Sequence, residues 1–229
     1  MPERARPLAD GRARPQGAAA SAAPASRFAS RETRRQQLVD ATIASIAELG
    51  LSETTLASVT RRAGLSHGTV NFHFKSKRGL LVETLRHLTG EHRARWRAAL
   101  EERAAGPAGR LVAMIAVDFD PAICNASRLA VWFAFWGERS CGPLYREACG
   151  EVDAERLAAF ERLCAEITEE GGYAELDAAR AARCLQSLVD GIWLNMLYQP
   201  GQHTNEEAMA MCLSFLAGQF PRHFPEPSA

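Results

Sequence analysis

Glycine and proline punctuate this chain at intervals that admit helices and little else. Breaks at Gly50, Gly64, Gly106-Pro107, Asp120-Pro121, Gly142-Pro143, Gly171-Gly172 and Pro200-Gly201 divide the sequence after residue 30 into segments whose apolar residues recur at helical spacing. Leu38, Ile43, Ile46 and Leu49 keep that period up to Gly50, which predicts a first helix of about 19 residues from Arg31. The hydroxyls of Ser52, Thr54 and Thr55 suit an N-cap for a short second helix over 56–63, which Gly64 ends. Ser66 is placed to cap a third over about 67–72. Further helices are expected over about 77–103, 108–118, 123–138, 143–170, 176–199 and 205–219. No segment alternates apolar and polar residues between turn signals, so the chain is expected to be all-α, with about nine helices and no repeat.

Charge is distributed unevenly. The 27 Lys+Arg balance 27 Asp+Glu, but residues 1–89 hold 14 basic and 7 acidic residues, leaving 13 and 20 for residues 90–229. A basic N-terminal part attracts a polyanion such as DNA, and an acidic remainder is repelled by it. The longest apolar run, Leu129 to Gly137, has nine residues against the roughly 20 that span a bilayer, so no membrane segment is expected. Arg residues near the N-terminus are followed by no apolar stretch of the secretory kind, and a cytoplasmic location is expected. Residues 1–28, rich in Ala, Pro, Arg and Gly, are expected to form a disordered arm. The six cysteines form no Cys-x-x-Cys pair and read as free, mostly buried thiols.

Two short helices joined by a glycine turn make a helix-turn-helix candidate. The segment Thr55-Leu56-Ala57-Ser58-Val59-Thr60-Arg61-Arg62-Ala63-Gly64-Leu65-Ser66-His67-Gly68-Thr69-Val70-Asn71-Phe72-His73-Phe74-Lys75-Ser76-Lys77-Arg78-Gly79-Leu80 resembles the DNA-binding signature of the TetR family of bacterial regulators. A helix entering the major groove needs small and polar groups at its N-terminal end, which Ser66, His67, Gly68, Thr69 and Asn71 supply. Lys77 and Thr55 are expected on phosphates, where they set register, and the resemblance assigns them the same role. Leu56, Ala63, Leu65, Val70 and Phe74 would pack the small core behind. Family members commonly carry Tyr where this chain has Asn71 and His73, and Ala at Thr60. Asn71 suits an adenine edge, and His73 a phosphate contact whose strength depends on pH.

The second half resembles a narrower group within that family, the BetI-type choline-responsive repressors of glycine betaine synthesis. The motifs are Ala130-Val131-Trp132-Phe133-Ala134-Phe135-Trp136, Pro143-Leu144-Tyr145-Arg146 and Leu188-Val189-Asp190-Gly191-Ile192-Trp193-Leu194, with Arg34-Arg35-Gln36-Gln37-Leu38 and Arg86-His87-Leu88 agreeing earlier in the chain. Together they extend the resemblance over about residues 33–224. It implies an effector-binding and dimerisation domain over 78–222, behind a DNA-binding domain over 29–77, with a tail from 223. A quaternary ammonium donates no hydrogen bond and is held by aromatic faces near a carboxylate. Trp132, Phe135, Trp136, Tyr145, Trp193 and Asp190 are the residues available for this. The same aromatic run at helical spacing also fits a plain core. Asp190 also fits a helix–helix hydrogen-bond acceptor, with Asp118 and Asp120 as alternative carboxylates.

The apolar residues Leu185, Leu188, Val189, Ile192, Met196 and Leu197, and Met209, Met211, Leu213, Phe215, Leu216 and Phe220, leave two helices little polar face, so a homodimer through four helices is expected, bound to a palindromic operator on double-stranded DNA. No cofactor is called for. His67 and His73, and His87 and His92, miss the i, i+4 spacing of a helical metal site, and no nucleophile, base and orienter set or phosphate-cradling glycine loop is present to make an enzyme. A repressor answering a different small ligand, and a DNA-binding protein with no ligand, are the remaining readings.

Overall fold

The computed structural model describes residues 31–101 and 106–225; the expected arm over 1–28 lies outside them. Among the described residues there are nine α-helices and no strand: α1 (Arg31–Glu53), α2 (Leu56–Ala63), α3 (His67–Phe74), α4 (Lys77–Glu101), α5 (Gly106–Asp118), α6 (Ala126–Gly137), α7 (Gly142–Gly171), α8 (Ala178–Tyr198) and α9 (Asn205–Gln219), with a 3₁₀ turn at Arg139–Cys141.

Local chemistry sets these bounds. Thr55 caps α2 in a reciprocal capping box with Ser58. Thr204 and Glu207 do the same for α9, and Asn125 and Asp177 accept from the first turns of α6 and α8. Gly64 ends α2 in the left-handed conformation. α3 runs two residues beyond its expected end, because Lys75 adopts a left-handed cap at φ 65° and donates to the Asn71 carbonyl. α1 continues past the expected stop at Gly50, whose φ of 78° kinks it.

The chain builds two cores. Leu38, Val39, Val59, Val70, Phe74 and Leu80 form a small one among α1 to α3 and the start of α4, edged by Leu56, Ala63 and Leu65. The larger core takes Trp96, Met114, Ile115, Phe135, Phe160, Trp193 and Phe220 from α4 to α9 and their ends. α4 enters both, since Leu80 packs in the first and Leu81, Leu85 and Leu88 in the second. α6 lies along α1, which places an element of the large core against the unit built on the small one. Arg35 of α1 pairs with Glu83 of α4, and Arg128 of α6 with Glu91 of α4.

Candidate functional site

α3 presents the residues expected to read DNA. Ser66, His67, Gly68 and Asn71 are exposed, and Thr69 and His73 are half-buried on its flank. Ser66 holds an extended N-cap backbone, but its hydroxyl shares a hydrogen bond with the Thr69 hydroxyl at 3.0 Å instead of capping the helix. Gly68 and Thr69 line one concavity with Arg31, Arg34, Phe72 and His73, so α1 supplies cations beside the recognition helix. Burial, with Arg31, Arg34 and Arg35 nearby, holds the His73 pKa below its ordinary value, so at neutral pH this side chain offers a neutral hydrogen bond. Thr55 is exposed at the start of α2, and Lys77 opens α4, where Ser76 Oγ accepts from the Gly79 N–H of the first turn at 3.0 Å. Gly79 is required here, because a Cβ would fall 2.2 Å from the Phe74 carbonyl oxygen.

Phe72 was not in the expected set. It is 68% exposed on α3 with the Arg31 guanidinium 5.3 Å above its ring. An aromatic left in solvent on a recognition helix suits a thymine methyl or a sugar face. Its signal in the sequence is an apolar residue on the wrong side of the short apolar stripe.

A second site opens inside the large core. α4, α5, α6, α7 and α8 enclose a cavity of about 60 Å³ lined by Thr89, His92, Asp118, Trp132, Trp136, Tyr145, Val152, Asp153, Arg156, Gln186, Val189, Asp190 and Trp193. Trp132 and Trp136, four apart, present one face of α6. Tyr145 packs edge-on to both, with ring centroids 6.3 and 6.0 Å apart. Trp193 closes the opposite side beside His92, held by a bond from its Nε1 to the Asp118 carbonyl at 2.9 Å. Five of the six expected ligand residues therefore meet at one cavity. Phe135 does not: it is 1% exposed in the large core and outside the lining, because one residue of helix turns the side chain by about 100° away from Trp136.

The wall is charged. Asp118, with no exposure, pairs with Arg156 through one oxygen and with His92 Nε2 at 2.7 Å through the other. Tyr145 Oη donates to Asp153 at 2.9 Å, and burial pushes both the Tyr145 hydroxyl and the Asp153 carboxyl up. Burial also lifts Asp190 to about 6; Arg156 opposes that rise, and Asp118 and Asp153 add to it. Three carboxyl groups thus face the single arginine of this lining. Asp118, weighed as an alternative to Asp190, is the carboxylate that holds the wall together, whereas Asp120 pairs with Arg95 away from the cavity. His92, Asp153, Arg156 and Gln186 were not legible in the sequence.

Residues 38–84 match the domain family of bacterial regulatory proteins of the TetR family, and residues 107–221 match the C-terminal domain of BetI-type transcriptional repressors. The chain is 35% identical to the HTH-type transcriptional regulator BetI of Serratia proteamaculans, over 84% of this chain and 95% of that one. It is 41% identical to BetI of Paraburkholderia phymatum, over 72% and 81%. The chain belongs to the BetI branch of the TetR family. TetR-family members are transcriptional regulators that bind DNA as dimers and respond to small-molecule effectors, so this BetI-type chain is a DNA-binding repressor and not an enzyme. A regulator from Pseudomonas aeruginosa PAO1 shares the fold at 28% identity, with a TM-score of 0.72 over 87% of this chain and 97% of that one. A regulator from Saccharomonospora viridis, solved in complex with choline, shares the fold at 21% identity, with a TM-score of 0.69 over 80% and 94%. No helix of the described residues is long and apolar enough to cross a membrane.

Proposed function

We propose that this protein is a cytoplasmic repressor of glycine betaine synthesis from choline, and that choline in the cavity releases it from a palindromic operator. The observation that carries the proposal is the set of four rings, Trp132, Trp136, Tyr145 and Trp193, around a wall with an excess of carboxyl groups. Aromatic faces and an acidic field attract a cation that cannot donate hydrogen bonds. A cavity of about 60 Å³ admits several times the 10–15 Å³ or so that one water needs, which fits a ligand of a handful of heavy atoms and excludes a long acyl chain. The names of the BetI relatives and the choline bound to the S. viridis regulator point the same way.

On DNA, Ser66, His67, Gly68, Thr69 and Asn71 enter the major groove, while Thr55, His73 and Lys77 hold phosphates. Lys77→Ala weakens binding about equally on all sequences and reduces the salt slope of log K by about 1, measured by anisotropy across a range of salt; an unchanged slope removes Lys77 from the interface. Two chains pair through the outer faces of α8 and α9, where Leu194, Tyr198 and Met211 are exposed. α6 transmits the signal, because it carries two cage rings and lies along α1 of the DNA-reading unit. Choline changes operator affinity only by the difference in its own affinity for the two dimer states.

Tryptophan fluorescence tests the cage, since three of the four tryptophans line the cavity. Choline is expected to give a saturable change in the micromolar to low millimolar range, abolished by Trp136→Ala; a flat titration of the folded protein refutes the choline reading. The pH profile has a defined sign. A cation favours ionised Asp190, so affinity is full above the Asp190 value of about 6 and declines below it. From about pH 7.5 to about pH 5 the loss is about tenfold. Asp190→Asn flattens that profile, and a profile that keeps its slope in the variant removes Asp190 from the effect.

A further inference from the structure

Two residues that line the cavity each carry a buried polar atom with no protein partner: Gln186 Oε1 on α8 and Arg156 Nε on α7. Two neighbouring carboxylates are committed elsewhere. Asp118 takes the Arg156 terminal nitrogen and His92, and Asp153 takes the Tyr145 hydroxyl. Arg156 as a residue is only 7% exposed, so bulk solvent does not serve it. Among the fully buried side-chain atoms of these residues, one acceptor and one donor are thus unanswered, beside rings that suit a quaternary ammonium. A buried polar group left unpaired costs the free energy of its lost hydration, so a ligand that answers both atoms gains over one that answers neither.

We infer that Gln186 and Arg156 recognise the hydroxyl of a quaternary ammonium alcohol and make the site selective for the alcohol over its oxidation products. A hydroxyl is donor and acceptor at once. It donates to Gln186 Oε1 and accepts from Arg156 Nε–H. A carbonyl or carboxylate only accepts, which leaves Gln186 Oε1 unpaired. A carboxylate also brings negative charge toward Asp118, Asp153 and Asp190. A sensor with this wall reports the alcohol and stays silent to the zwitterionic acid formed from it. The assignment rests on the cavity being the effector site proposed above.

The test titrates the full chain with four probes, read by tryptophan fluorescence: choline, its methyl ether, ethyltrimethylammonium and glycine betaine. The ether keeps an acceptor and drops the donor; ethyltrimethylammonium drops both. Choline is expected to bind about 10–100-fold more tightly than any of the other three. In Gln186→Met, of similar length and without the acceptor, the preference for choline over its ether is expected to vanish while ethyltrimethylammonium binds as before. Gln186→Glu, which keeps an acceptor, is expected to retain the preference. If choline and ethyltrimethylammonium bind equally to the unmodified protein, the rings hold the ammonium and the hydroxyl assignment is wrong. If Gln186→Met keeps the full preference, Gln186 is not the acceptor and the assignment is likewise wrong. If none of the four saturates the signal, both the assignment and the choline reading fall.

Discussion

Asp118→Ala lowers the free energy of unfolding by about 3–5 kcal/mol, the range for stranding one partner of a buried ion pair. Asp118 is fully buried, and the Arg156 side chain it pairs with is 9% exposed. Removing the carboxylate takes from the buried guanidinium its hydrogen-bonded counter-charge, leaving only Asp153 and Asp190 across the cavity to answer it, and deprives His92 of its 2.7 Å partner. Native stabilities are about 5–15 kcal/mol, so such a loss removes a large share of the total. The bond from Trp193 to the residue 118 carbonyl is a backbone contact and survives the substitution. Chemical denaturation followed by circular dichroism measures the effect. The double variant Asp118→Leu, Arg156→Met, which removes both charges, is expected to recover most of the loss. A single-variant loss under about 1 kcal/mol contradicts the picture of a charge pair sealed from solvent.

The second large effect is on assembly. Leu194 and Met211 are 39% and 38% exposed on the outer faces of α8 and α9, and Tyr198 is 73% exposed. Arginine at both Leu194 and Met211 places like charges across a two-fold interface and is expected to split the dimer. Operator affinity then falls at least about 100-fold, because each monomer reaches one half-site and binds near the non-specific level. Light scattering reads the mass and anisotropy the affinity, while an unchanged helical spectrum shows that the monomer still folds. A variant that remains dimeric places the interface on another surface.

Most of the helices were legible, because glycine and proline punctuate the chain and Thr55 and Gly64 act within one turn of themselves, whereas α6 and α8 start three and two residues later than expected, behind the caps Asn125 and Asp177. The four rings that line the cavity stood out in the sequence for a different reason, since aromatic residues at i, i+4 in α6 and near Asp190 in α8 form a pattern along the chain. The polar wall was not. Asp153 and Arg156 sit among the Glu and Arg residues of the 30-residue α7, and a charge that points inward looks the same in sequence as one that points to solvent. Arg156 finds its counter-charge in Asp118, 38 residues away, and no local period encodes that partner. Phe135 shows the converse: it belongs to the same aromatic run as Trp132 and Trp136, and only the rotation of α6 decides that it enters the core.

Choline-dependent release of operator DNA tests the central proposal most directly. A duplex selected by the protein itself from a random pool is labelled and bound to the dimer, and choline is added until the tryptophan signal saturates. Operator affinity is expected to fall about 5–150-fold, the range of coupling free energies between two sites in one protein, with non-specific binding unchanged. Equal operator affinity with and without saturating choline would contradict the account: the protein would remain a TetR-family repressor, and choline would not be its signal.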